Sequence, residues 1–216
     1  AVEQALLLKA AAAGSTVTVV RVGSVQDTEA LRTALAMGAD EAILVEAEDN
    51  LDSYMISKAL KGAIDKSGKS ADIIFSGKQA IDDDCLQVPQ LVAQMLGMPS
   101  VSVVVGFEHA DGKTSLKREV EGGTLEVYDV SGPVMVACNK GLNTPRYASL
   151  PGIMKSKRKP LQQLSLGDVG VSADDRRLKY SGFQLPPEKP PGKKFEAMDE
   201  GAQAGVVAEV VGLLRN

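Results

Sequence analysis

The sequence predicts an α/β fold: an open, mostly parallel sheet with flanking helices, an antiparallel hairpin extension and an extended C-terminal arm. Three observations predict it. Short β-branched runs alternate with longer helical patterns as far as Phe107, the rhythm of right-handed βαβ crossovers. The first such run, Thr16 to Val22 (TVTVVRV), is nearly all apolar, as a parallel strand buried on both faces is. Beyond Phe107 the rhythm gives way to short strands around Gly122-Gly123, a hairpin signal.

Val2, Ala5, Leu6, Leu8 and Ala12 fall at helical spacing, and Gly14 ends that helix. No strand stands in front of it. A crossover helix needs one, so the expectation is that an N-terminal strand of the native protein is missing. After the strand at 16–22, Asp27 or Thr28 can cap a helix that runs to about Met37 and stops at Gly38. Glu41 to Glu46 carries the strand AILV. Leu51 to Lys66 is a long amphipathic helix ending near Gly68. Ala71 to Ser76 is the next strand. The loop Gly77 to Asp84 leads into a helix from about Leu86 to Leu96, with Pro89 in its first turn. Ser100 to Phe107 is a fourth strand. Lys113 to Val120, Thr124 to Val130 and Val134 to Cys138 read as the antiparallel extension. From Gly141 the pattern is weak, and Pro145 and Pro151 keep the middle of the following stretch out of regular helix. Residues 186–194 form a Pro-rich linker, and Gln203 to Leu214 a short apolar helix. The expected division is an α/β nucleotide-binding domain over 1–165, with a docking loop at 141–160, and a partner-wrapping arm over 166–216. The alternative for the last helix is a return onto its own domain.

Composition narrows the function classes. The chain has 216 residues, 44% hydrophobic, with 4% aromatics and no Trp, so its core is built from aliphatic side chains and Met. A formal net charge of −4 argues against nucleic acid as a partner. Two cysteines, Cys85 and Cys138, do not make a secreted disulfide scaffold, which favours a reducing compartment. No apolar run reaches the ~18–20 residues of a membrane span. No signal or transit pattern is visible. The one histidine, His109, is placed near a hairpin turn, with no His–Cys or His–Asp cluster for a metal of the usual kind. No Ser–His–Asp arrangement suggests itself. Catalysis by side chains alone is therefore not expected, and the cysteines read as small buried hydrophobes.

Two stretches remain as candidates for function. The first is GKQAIDDDCLQ, Gly77 to Gln87. It leaves a strand end and enters a helix, the crevice where open α/β sheets bind ligands. Backbone N–H groups at the helix start suit a phosphate, and Gly77 permits close approach. Asp82, Asp83 and Asp84 would repel a phosphate unless they cap the helix or hold a cation, so a purely capping role stands equally. No Walker or G-x-G-x-x-G pattern is present. The second is GLNTPRYASLPGIMKSKRKP, Gly141 to Pro160. Arg146, Tyr147, Leu150, Ile153 and Met154 precede Lys155, Lys157, Arg158 and Lys159. An apolar tip beside cations is a docking surface for an acidic, partly apolar partner. A solvated loop with its Leu and Met packed inward is the other reading.

Both stretches, in this order, resemble the β subunits of electron-transfer flavoproteins. The resemblance rests on RTALAMGAD (Arg32 to Asp40), GKQAIDDDC (Gly77 to Cys85), KREVEGG (Lys117 to Gly123) and LNTPRYASLPGIMK (Leu142 to Lys155), and covers Ala1 to about Leu178. It implies an adenine-nucleotide-hydrolase-like fold that begins with a strand ahead of the position of Ala1. It implies a heterodimer with an α subunit that holds most of the FAD, and a structural AMP in this chain. By the same resemblance Gly77, Lys78, Gln79, Ala80, Ile81, Asp82, Asp83, Asp84, Cys85, Leu86, Gln87, Val88 and Val22 line the AMP site. Leu86 and Val88 depart from animal members, which carry Asn and Thr there. The resemblance implies docking of acyl-CoA dehydrogenases of fatty-acid β-oxidation on a leucine anchor, here Leu150. Pro151, Ile153, Met154, Lys155, Arg146 and Tyr147 stand beside that anchor. Electrons then pass to a membrane-bound quinone oxidoreductase. Arg158 replaces a lysine that is methylated in animal members. Neither membrane insertion nor nucleic-acid binding is expected, and the implied compartment is the mitochondrial matrix, or the cytoplasm of a bacterium. Two alternatives stay open: a bifurcating β subunit with its own FAD, and an adenine-nucleotide hydrolase or sensor using Asp82 to Asp84.

Overall fold

The computed structural model describes residues 1–48, 51–179, 181–189, 191, 192, 194–196 and 199–215. It comprises two units, Ala1–Lys179 and Tyr180–Asn216. The first unit runs past the expected boundary at 165 and takes in single helical turns at Gly167–Val169 and Ala173–Asp175.

The elements of the first unit follow in order. Helix α1 (Val2–Ala11) precedes strand β1 (Thr18–Gly23), helix α2 (Thr28–Met37) and strand β2 (Glu41–Glu46). Helix α3 (Ser53–Lys66) leads to β3 (Ile73–Gly77) and α4 (Val88–Leu96). Four strands follow: β4 (Ser100–Ala110), β5 (Lys113–Glu119), β6 (Leu125–Ser131) and β7 (Val134–Cys138). Helix α5 (Leu150–Ser156) and strand β8 (Leu161–Ser165) complete it. The local chemistry explains the ends. Asp52 caps α3 by accepting from the Met55 N–H at 2.8 Å. Gly97 ends α4 in the left-handed region at φ 68. Gly122 and Gly123, at φ 75 and 76, close the hairpin between β5 and β6.

The α/β class holds, with a mostly parallel pairing and helices packed around it, but two expectations are corrected. Among the described residues the strands form two sheets rather than one: β1-β2-β8, all parallel, and β3-β7-β4-β5-β6. Among the described residues β1 bonds only to β2, and β3 only to β7. Val134–Cys138 is not part of the antiparallel extension. It lies between β3 and β4 and runs parallel to both. The reason is burial: all five of its residues are inside, and a strand apolar on both faces belongs in the middle of a covered sheet. Among the described residues only β4, β5 and β6 pair antiparallel.

The stretch after Gly141 is more regular than its sequence suggests. Pro151 falls in the first turn of α5, where its missing N–H costs nothing. Strand β8 extends the first sheet beyond β2. Strand β2 is covered on both faces. Ile43 and Val45 pack with Met55, Ala59 and Ala63 of α3, while Ala42 and Leu44 pack with Leu31 and Leu35 of α2. The second sheet has its own core of Val101, Val104, Leu116, Val134, Val136 and Cys138.

In the second unit, helix α6 (Glu200–Leu214) forms with Asp199 as its cap. Of residues 186–194, Pro190 and Lys193 lie outside the described residues, and the others have no regular structure. Among the described residues no helix is long and apolar enough to cross a membrane.

Candidate functional site

Residues 139–149 connect β7 to α5 without regular structure. Tyr147 is 99% exposed, Leu150 75% and Met154 63%, and Pro151, Ile153 and Lys155 are exposed too. The inward-packed reading of this stretch is therefore excluded. Lys157 and Arg158 stand beside them, also exposed. Lys159, expected in the same basic cluster, turns inward. Its Nζ donates to the carbonyls of Leu35 at 2.9 Å and Ala39 at 2.5 Å, satisfying the C-terminal end of α2.

Helix α5 is fastened to α2 by directed contacts. The Ser149 hydroxyl accepts from the Gly152 N–H at 3.2 Å and caps the helix. Arg32 on α2 donates to the carbonyls of Ser156 at 2.6 Å and Lys159 at 2.9 Å. Gly152 is required where it stands, because a Cβ there would collide with the Ala36 carbonyl. Between the two helices lies a recess of about 510 Å³ lined by Arg32, Ala36, Ala148, Ile153 and Lys157 among others.

Arg146 is held by α1. Its Nη2 donates to Glu3 Oε1 at 2.8 Å, its Nε to Oε2 at 2.9 Å, and its backbone N–H to Oε2 at 3.0 Å. Glu3 is only 5% exposed. The Arg146 bonds hold its carboxyl below the usual carboxylate range, outweighing the desolvation that pushes it up. One residue on, Gln4 Oε1 accepts from Asn143 Nδ2 at 3.1 Å. Sequence reading missed Glu3, Gln4, Arg32 and the inward turn of Lys159. The available signal was the pair of polar residues beside Leu6 on a helix otherwise read from its apolar positions.

The stretch Gly77 to Val88 runs from the C-terminal end of β3 to the start of α4. Asp84 and Leu86 adopt φ of 50 and 51, a conformation L-residues rarely take. Gly77, Ala80, Ile81, Asp82, Asp83, Asp84 and Gln87 are exposed; Lys78, Gln79, Cys85, Leu86 and Val88 are half-buried. Asp83 accepts from the Cys85 N–H at 3.3 Å, so the acidic run closes its own turn. Gln87, the residue ahead of α4, makes no side-chain cap. The first-turn N–H groups of α4 thus have no side-chain cap, which fits an anion. Leu86 and Val88 offer no hydroxyl or amide to such a group. Val22 lies near the C-terminal end of β1, packed with Val45 and Met55. Among the described residues no three His, Cys, Asp or Glu side chains converge to hold a metal, Asp82 to Asp84 included. Burial raises the Cys138 thiol pKa, consistent with a small hydrophobe. His109 is exposed on β4, with Nδ1 2.9 Å from Thr114 Oγ1.

Comparison with known proteins gives the family. The electron transfer flavoprotein domain model matches residues 1–169. The chain is 40% identical over 196 residues to the electron transfer flavoprotein subunit beta of Syntrophomonas wolfei, covering 91% of this chain and 75% of that one. It is 38% identical to the protein of the same description in Bacillus subtilis, covering 100% and 83%. It is 39% identical to the mitochondrial electron transfer flavoprotein subunit beta of Arabidopsis thaliana, covering 93% and 79%. The chain therefore belongs to the electron transfer flavoprotein family, with the β subunits of that family.

Proposed function

We propose that this chain is the non-catalytic β subunit of an α/β electron-transfer flavoprotein. It docks reduced dehydrogenases, chiefly acyl-CoA dehydrogenases, through the surface around Leu150. The observation that carries this reading is the exposed apolar set Tyr147, Leu150, Ile153 and Met154, set beside Lys155, Lys157 and Arg158 and fastened to α2. A solvated loop has no reason to expose such a group, whereas a contact surface for an acidic partner does. FAD, held mainly by the α subunit, supplies the redox chemistry when bound. A membrane-bound quinone oxidoreductase takes the electrons.

The stretch Gly77 to Val88 would hold AMP, with the backbone donors at the start of α4 on the phosphate and Val22 near the adenine. Of the expected arm, residues 166–179 belong to the first unit, and residues 180–216 serve to wrap the α subunit. Exposed Val207, Val211, Leu213 and Leu214 on α6 support that role. The site of action is the mitochondrial matrix or a bacterial cytoplasm. The absence of side-chain oxygens or nitrogens at Leu86 and Val88 favours a second reading, a bifurcating β subunit with its own FAD.

The test is to co-express the full-length chain with its α subunit, denature the complex and count released nucleotides. One FAD and one AMP per heterodimer support the proposal. Two FAD and no AMP support the bifurcating reading. ADP or ATP without flavin, and no complex, sink both and leave a nucleotide hydrolase.

A further inference from the structure

We infer that Glu3 is a positioning residue for the docking surface: by clamping Arg146 it fixes where Tyr147 and Leu150 stand. The inference rests on the docking reading above. Residues that project into water make no packing contacts to hold themselves, and Tyr147 and Leu150 are 99% and 75% exposed. The loop that leads to them places Leu142 against the core of the second sheet. Beyond that, two consecutive residues of α1 reach it by hydrogen bonds, Glu3 to Arg146 and Gln4 to Asn143.

The geometry of the Glu3 contact is specific. One carboxylate receives both the guanidinium fork and the backbone N–H of the same residue. The side-chain bonds fix the position of Arg146, and the main-chain bond fixes the direction in which the chain leaves toward Tyr147. A fork of this kind is directional in a way a lysine contact is not. A carboxylate buried at 5% exposure is tolerated only while those bonds persist. Glu3 itself faces inward, so it acts on docking through Arg146 and not by touching the dehydrogenase.

The experiment uses the α/β complex assembled from the full-length chain, with Glu3→Gln and Arg146→Lys in parallel. Glutamine keeps the size of Glu3 but cannot receive the charged fork. The expected result is a rise of about tenfold in the dehydrogenase's KM for the complex, equivalent to about 1.4 kcal/mol of lost binding. The kcat should stay within about twofold, a split that marks lost binding rather than lost chemistry. FAD content should be unchanged, and limited trypsin should cut faster after Arg146. If Glu3→Gln leaves KM and trypsin cutting unchanged while Leu150→Ala raises KM, the clamp is wrong and docking stands. If Glu3→Gln speeds cutting but neither variant changes KM, the docking reading fails and this inference with it. A fall in kcat at constant KM also overturns it. Should Glu3→Gln not assemble, Arg146→Lys decides by the same readouts.

Discussion

Replacing Leu150 by alanine separates the proposed docking surface from the fold that carries it. Leu150 is 75% exposed in this chain, so truncation removes little buried area, and folding stability should change by no more than about 0.5 kcal/mol. Docking is different. Burying a whole Leu side chain is worth about 1.5–3 kcal/mol. Three quarters of that is still in water here, so a partner that covers the residue gains about 1–2 kcal/mol from it. That corresponds to roughly a 5- to 30-fold rise in the dehydrogenase's KM for the α/β complex on truncation. The assay is dehydrogenase-driven flavin reduction at varied complex concentration, with melting temperature and FAD content measured on the same preparations. An unchanged KM refutes Leu150 as the anchor. A raised KM together with a melting point lowered by many degrees refutes the premise that Leu150 is structurally idle.

The other predictions concern what holds the surface and the fold in place. Gly152→Ala drives a Cβ into the Ala36 carbonyl, so α5 should shift off α2 at a cost of about 1–3 kcal/mol, read as a lower melting temperature together with a higher KM. Arg32→Met removes a charged donor from the carbonyls of Ser156 and Lys159, of which Ser156 keeps the Lys159 N–H. It should cost about 1–3 kcal/mol, measured by urea unfolding, with hydrogen exchange in 153–159 rising before the rest of the unit. Asp52→Ala removes the α3 cap and the acceptor for the Arg177 and Leu178 N–H groups; about 2–4 kcal/mol of stability should go with it. Desolvation raises the Asp52 pKa, yet the backbone bonds from Met55, Leu178 and Arg177 leave it lowered overall. Its contribution is therefore present above the unfolded aspartate value near ~3.9 and lost as pH falls through the lower folded value. The stability gap between wild type and Asp52→Asn should narrow on acidification below that value, as urea midpoints across pH will show.

Periodicity told most where one element faces one environment. The alternation of runs such as AILV in Glu41–Glu46 with helices located β2, α2 and α3 almost to the residue. It failed at β7, since Val134–Cys138 is short enough to suit either a hairpin or a central strand, and the choice depends on neighbours far along the chain. It failed again at α5, where Pro151 reads as a breaker until its place in a first turn is known. At the candidate site, the exposed residues from Tyr147 to Lys155 were visible as a pattern. Their supports were not. The Glu3–Arg146 and Arg32–Ser156 contacts span 143 and 124 positions, and no local rule relates residues so far apart.

These supports have a physical reason to be polar. An apolar residue that must stay in water until a partner arrives cannot be fixed by the hydrophobic effect, which acts through area withdrawn from solvent. What remains beside the packing of Leu142 and of α5 on α2 is directional bonding from the scaffold behind it: Ser149 on Gly152, Arg32 on the end of α5, Lys159 on the end of α2 and Glu3 on Arg146. Such bonds set angles as well as distances, which burial alone does not. A loop held this way presents its leucine in one orientation before contact, so under the proposed docking less ordering entropy is lost on binding. It follows that variants in the supports should act on docking more than on unfolding, whereas variants in the aliphatic core, such as Leu44 or Val136, should do the reverse.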